Sequence, residues 1–262
     1  MLRGRGLLSN AGKYLLCIGM LAASASPISA QESQSDDPWN FKAALYLWGA
    51  SINGSTRAGS DFDIPLSQLL DNLNFMFMGA FEARKGKWSA TADIVYMDVS
   101  GDDSGTISPF ERLPGITFPA SANVDMTGWV FNLNGARNVY DGEHASVDVL
   151  VGVRYLDMDN TLTVSVASLP PSSVNASETV LDGVAGVKGD IKLSKSWFLP
   201  YYLDVGTGQS DFTWQGFGGV GYAFEPVDIV LGYRYIYWDF DSSSDFDDID
   251  FSGPLLGAVF NF

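Results

Sequence analysis

Of its 262 residues this chain has one cysteine and one histidine, Cys17 and His144. Cys17 falls inside a leader. Arg3, Arg5 and Lys13 precede and enter it, Tyr14 to Ala23 form its apolar run, and small residues follow up to Ile28-Ser-Ala30. This is the pattern of a secretory signal over 1–30, with cleavage after Ala30, and its roughly ten apolar residues are too few to cross a bilayer as a helix. Leu16 stands before Cys17 where a lipoprotein box needs a small residue, which argues against lipidation. Residues 31–262 then hold no cysteine, so no disulfide can stabilise the exported domain. Cations are scarce as well: 15 Lys and Arg stand against 31 Asp and Glu, a formal charge of −16, which becomes −19 once Arg3, Arg5 and Lys13 leave with the leader. Such a surface repels nucleic acid and free phosphate. No run of eighteen apolar residues follows the leader, which excludes helical membrane spans.

What is present is alternation with period two, in stretches of about ten residues separated by turn residues. Ten stretches are predicted as strands: Trp39–Ser51, Phe75–Arg84, Trp88–Val99, Val124–Val139, Ser146–Met158, Val180–Lys192, Trp197–Val205, Thr213–Phe224, Asp228–Phe240 and a closing strand ending at Phe262. The fifth is the clearest, with Val147, Val149, Val151, Val153 and Tyr155 on one face and Asp148, Gly152 and Arg154 on the other. Short connections (85–87, 140–145, 193–196, 225–227) alternate with long ones (52–74, 100–123, 159–179) and an intermediate one (241–250); 206–212 breaks the rule. Aromatic residues gather at the segment ends in two belts. The pattern predicts an all-β chain: a transmembrane antiparallel up-and-down β-barrel of about ten strands, both ends on the short-turn side. Irregularity around Pro200 leaves eight strands as the alternative.

Leu70-Asp-Asn-Leu-Asn74, Phe77-Met-Gly-Ala-Phe-Glu-Ala-Arg84, Asp204-Val-Gly-Thr-Gly208 and Leu231-Gly-Tyr-Arg-Tyr235 resemble stretches of small Gram-negative outer-membrane β-barrel proteins, the broad outer-membrane protein A/W-like or porin-like group. The resemblance implies a bacterial outer-membrane location. The expected partners are outer-membrane lipids and lipopolysaccharide, periplasmic chaperones and the barrel-assembly machinery. It makes Phe260 and Phe262 an assembly signal. Barrel enzymes of this size rely on a histidine at the outer rim or the lipid face, whereas His144 sits in the turn Asp141-Gly-Glu-His-Ala145 on the other side. A serine nucleophile would lack a base to activate it. No catalytic residue, cofactor or nucleic acid is expected.

Three stretches ask for separate weighing. Gly216-Phe-Gly-Gly-Val-Gly221 matches the dinucleotide fingerprint, but a strand continues through Tyr222-Ala-Phe224 where a helix would have to open. The acidic run 239–250 could offer Asp241, Asp245, Asp247 and Asp248 to a divalent cation, weakly, with a solvated loop as the plainer reading. Leu66, Leu69, Leu70 and Leu73 have helical spacing behind Asp63 and Pro65, which predicts an amphipathic helix, first as a lid over the barrel mouth and second as an adhesive surface patch. Strand parity also turns Lys42, Arg84, Arg154, Lys188 and Arg234 inward with Glu82, Asp93, Asp148, Asp182, Asp190 and Asp204. Near-balanced charges in a narrow lumen pair with one another. The expectation is a plug centred on Arg154, Arg234, Asp182 and Asp204, in a structural or surface-interacting barrel. A narrow porin-like channel is the alternative and an outer-membrane enzyme a more distant third.

Overall fold

The computed structural model describes residues 37–57, 59–107, 118–166 and 171–262; the predicted leader lies outside them. Twelve strands and one short helix follow in order: β1 Trp39–Trp48, β2 Ser51–Thr56, β3 Ser60–Ile64, α1 Leu66–Asp71, β4 Leu73–Lys85, β5 Trp88–Ile107, β6 Phe118–Asp141, β7 Ala145–Val166, β8 Ser172–Lys192, β9 Trp197–Gly208, β10 Phe212–Ala223, β11 Val227–Asp239 and β12 Phe246–Asn261.

Ten of these close a barrel. β1 pairs with β4 on one side and β12 on the other, and β4 to β12 pair consecutively, all antiparallel. Closure matters because a bilayer offers no water to an unpaired strand edge. The seam runs from Lys42 opposite Asn261 to Trp48 opposite Leu255. Its last rung is made by Phe262 itself, which exchanges backbone hydrogen bonds with Phe41 at 2.8 and 3.0 Å. Pro200 does not reduce the strand number: β8 pairs with β9 straight past it, and only the β9–β10 ladder skips Leu199 and Pro200.

Side chains follow the predicted alternation. Outward residues such as Leu47, Val151, Leu231 and Phe260 are exposed on the barrel wall. Both aromatic belts form contacts, Trp39–Phe41–Phe81 with Phe262 at the short-turn end, and Tyr96–Trp129 and Trp214–Tyr235 at the other.

Three predicted loops are not loops. Most of 100–123 and 159–179 is strand: β5 and β6 stay paired up to Ile107 and Phe118, and β7 and β8 up to Val164 and Ser172. Stretches such as Thr161-Leu-Thr-Val-Ser-Val166 are rich in β-branched residues, and a strand that rises beyond the membrane need not keep one face apolar. The third, 52–74, holds β2, β3 and α1. β2 carries on where β1 stops, and together they line β12. The break falls beside Pro254, which has no N–H to give. Here Gly49 donates to the Pro254 carbonyl at 2.9 Å, and the backbones approach so closely that a Cβ on Gly253 would lie 1.9 Å from the Gly49 oxygen.

Helix α1 is shorter than the leucine spacing suggests, and Asp63 does not cap it. Pro65 occupies the N-cap position with no side-chain cap, and Asp63 lies in β3 opposite Asn53. The first helical N–H, that of Leu66, is met by the Ser51 hydroxyl at 3.3 Å. Leu69 is buried while Leu70 remains exposed.

Candidate functional site

The inward faces of the ten barrel strands divide the lumen into three levels. At the short-turn end, Lys188 is ion-paired to Glu82 and donates to Thr91 Oγ1 at 2.7 Å. Arg84 reaches Glu82 at 3.2 Å and also pairs with Asp148, which accepts a second hydrogen bond from Asn138 at 2.8 Å. Asp190 accepts from Ser146 at 2.8 Å. These groups line a cavity of about 350 Å³ that extends up to Arg234. A second space of about 590 Å³ lies among the short turns, lined in part by Lys42, Lys87 and Lys192. This end of the lumen is polar and roomy enough for water.

The middle level is a closed network. One guanidinium nitrogen of Arg154 holds both oxygens of Asp204 at 2.6 Å, and both residues are essentially inaccessible to solvent. The rest of the Arg154 fork donates to Asn132 Oδ1 and Thr213 Oγ1, both at 2.9 Å. Arg234 pairs with Asp93 at 2.6 Å and donates to the Tyr46 hydroxyl at 2.9 Å; Tyr46 in turn donates to Asp93. A single oxygen, Gln215 Oε1, accepts from Arg154 at 3.3 Å and Arg234 at 3.1 Å, which ties the two pairs together. Tyr202 donates to Asp204 at 2.5 Å and accepts from Asn134 at 3.1 Å. Two cations and two carboxylates thus neutralise one another across the lumen, with nearly every polar atom occupied. That is the condition under which buried charge is tolerated.

Asp182 departs from expectation. It lies directly across from Arg154 in the β7–β8 ladder, yet its carboxylate accepts from the Ser210 N–H and hydroxyl at 2.9 and 2.7 Å and forms no ion pair with either arginine. The turn after β9 folds inward and claims it. Asp93 takes the place beside Arg234 that had been expected for Asp182 or Asp204.

Above the network, toward the long-loop end, the lumen is apolar. Trp48, Leu156, Ile236, Trp238, Ile249 and Phe251 are buried there, and Leu69 of α1 joins them from above. Arg154 and Arg234 lie under this layer, against the rings of Trp238 at 5.8 Å and Trp48 at 4.9 Å. Of the seven methionines, Met1 and Met20 lie outside the described residues and the other five all line the residual cavity beneath α1, which measures only about 50 Å³. The helix therefore caps the mouth by burying Leu69 in it, with Leu66 half-buried beside it. This second seal was readable in part: Tyr233-Arg-Tyr-Ile-Tyr-Trp238 is apolar on both faces at its end, unlike a wall strand that borders water.

The acidic run does not assemble a cation site. Arg57 N–H donates to the Asp245 carbonyl at 3.0 Å, its guanidinium donates to the carbonyls of Ser244 and Asp241, and it pairs with Asp247 at 3.5 Å. Asp248 accepts from Ser55 at 2.6 Å. Ser243 donates to Asp241 through its hydroxyl and its N–H, which holds that exposed carboxyl below its usual range. A guanidinium thus sits where the oxygens converge, and among the described residues no three metal-ligating side chains cluster. His144 lies in the β6–β7 turn at the short-turn end, where its carbonyl accepts from Lys192 N–H at 2.8 Å. The glycines of 216–221 lie within β10, with no helix following.

Gln215, Thr213, Asn132 and Tyr202 complete the network and were not among the predicted site residues. Parity alone could have turned Thr213 and Gln215 inward, since Trp214 between them faces out.

No protein-family model matches the chain, and no curated protein matches its sequence. Among solved structures, the outer membrane protease OmpT from Escherichia coli aligns with a TM-score of 0.52 at 11% identity, over 87% of this chain and 98% of that one. The translocator domain of the autotransporter NalP from Neisseria meningitidis gives 0.44 at 16%, over 88% and 90%. Ail, the attachment invasion locus protein of Yersinia pestis, gives 0.36 at 12%, over 86% and 99%. At such identities the likeness concerns the fold, which is that of the bacterial outer-membrane β-barrels.

Proposed function

We propose that this protein is a non-conducting barrel of the bacterial outer membrane, exported through the leader at 1–30, whose role is structural or lies in contacts made by its long-loop end. The observation that carries this reading is the doubly sealed lumen: the network of Arg154, Asp204, Arg234, Asp93 and Gln215 below, and the apolar layer capped by Leu69 above. A solute path would have to cross both. The tall hairpins β5–β6 and β7–β8 give the barrel an extended surface beyond the mouth, which suits a contact role. Catalysis forms no part of this reading, because the one histidine lies at the opposite end of the barrel from the mouth.

A narrow channel is the second reading, and the cavity of about 350 Å³ below the network is the observation that favours it. Planar-bilayer recording separates the two. The refolded wild-type chain should insert and show no steady conductance above the bare bilayer; large, steady, ohmic steps would hand the function to the channel reading.

A further inference from the structure

The network leaves two cations unexplained. Among the described residues, Lys85 and Arg137 are the ones whose charged side chains point outward from barrel strands; Lys87 and Lys195 lie in turns, and the other strand cations face the lumen. None of the six ion pairs described above includes Lys85 or Arg137, in a chain where acids outnumber cations two to one. A charge directed at the bilayer is unfavourable unless it sits at the headgroup level with something to meet it.

Their neighbours are ordered in a row. Trp39 stands opposite Lys85, Lys85 opposite Trp88, and Trp88 opposite Arg137, across β1, β4, β5 and β6. Lys85 Nζ lies 5.7 Å from the Trp39 ring, and the Arg137 guanidinium 5.5 Å from the Trp88 ring. All four side chains are exposed, at the short-turn rim of the aromatic belt. The indoles fix the depth of this row at the membrane interface and orient the cations over their faces. Two strand spacings separate Lys85 from Arg137, roughly 10 Å between backbones, a gap that their long side chains can close onto one group. The next outward positions, one rung deeper in the membrane, are Ala83, Ala90 and Gly135. A side chain at Gly135 would meet no atom within 4 Å. The wall is therefore shallow just above the cations, and the stacked rings of Phe41 and Phe81 border it.

We propose that Trp39, Lys85, Trp88 and Arg137 form a site for the phosphodiester headgroup of an anionic phospholipid in the leaflet at the short-turn end, with the first carbons of its acyl chains lying over Ala83, Ala90 and Gly135. The proposal rests on the reading of the chain as a membrane barrel. The cations match the phosphate in charge, the indoles match the interface, and the small residues leave room for the chains. The opposite rim is of the other sign, with Asp98, Asp125, Asp157 and Asp159 on its strands.

The test uses the full chain, recovered folded from membranes and placed in nanodiscs of equal phosphatidylglycerol and phosphatidylcholine. Lipids retained on release are read by native mass spectrometry, and folding is read separately by the heat-dependent shift of the band on a gel. Wild type should keep phosphatidylglycerol in preference to phosphatidylcholine. Lys85→Gln and Arg137→Gln should each weaken that preference about five-fold, the effect of removing one basic residue at an anionic surface. The double variant should retain both lipids alike, and Lys195→Gln, in a turn, should behave as wild type. Equal retention of the two lipids by folded wild type, or an undiminished preference in the folded double variant, overturns the site and leaves the barrel reading standing. A wild type that never inserts overturns both. Should the variants misfold, loss of the wild-type preference in high salt is the second measurement, and a preference indifferent to salt overturns the proposal.

Discussion

At the scale of single residues, the fate of a lumen charge depends on which partner it finds across the barrel. Arg154 faces Asp182 in the ladder and Asp204 across two strands, and it binds Asp204. Removing either member of that pair leaves an uncompensated buried charge, which typically costs about 3–5 kcal/mol. Arg154→Ala and Asp204→Ala should therefore each lower the urea midpoint strongly, and the double variant should be more stable than the two losses combined imply. The coupling expected for contacting residues is about 0.5–3 kcal/mol, and for Arg154 with Asp182 it should fall to the few tenths typical of independent sites. Equal coupling to both aspartates would contradict the geometry. The inward direction of these three charged residues was legible from parity; their pairing was not, because parity records the face of a strand and not the distance across a lumen.

At the scale of elements, α1 and the closing strand carry distinct tasks. Leu69 fastens α1 into the mouth, so Leu69→Asp should release the segment 59–72 to protease attack from the long-loop side while the barrel itself stays resistant to denaturation in detergent. An unchanged digestion pattern would remove α1 from its role as a cap. The helical spacing of its leucines was readable, yet its length and cap were not, because β3 draws Asp63 into a sheet and β4 begins at Leu73. At the other end, Phe262 supplies the last rung of the seam and stacks on Phe41. Its deletion should impair insertion with export intact, measured as processed chain lacking a heat-modifiable form. Normal insertion of that deletion would refute an assembly role for Phe262.

At the scale of the whole molecule, two seals of different chemistry lie in series. With the charge network alone, Arg154→Ala would be expected to open a conduit. The apolar layer above it changes that expectation: conductance in Arg154→Ala should stay at the wild-type level and should rise only when Trp48 and Trp238 are also replaced by alanine. Single-channel recording of heat-modifiable protein from both variants checks this, and an open state in Arg154→Ala alone would mean that the upper layer does not seal. The stability of the barrel and its closure are also linked, since each of the ten barrel strands is a neighbour of two others and the one strand with a single neighbour among the described residues, β3, lies outside the closed ring.

The sequence by itself determined the strands, their faces and their number to within the alternative of eight, because a wall between lipid and a polar interior imposes period two on every residue that crosses it. It also determined that the interior would hold nearly balanced charge, since charge cannot face the acyl chains. Only the tertiary structure decided which charges meet, that Gln215 joins them, and that Arg57 takes the centre of the acidic run. It alone decided that α1 seals the apolar upper lumen through Leu69 and that two predicted loops are hairpins rising beyond the mouth. Those outcomes depend on strand register, stagger and the way the mouth folds over itself, which bring together residues as distant as Trp48 and Gly253, joined by a hydrogen bond of 3.2 Å. Local periodicity carries no record of such distances.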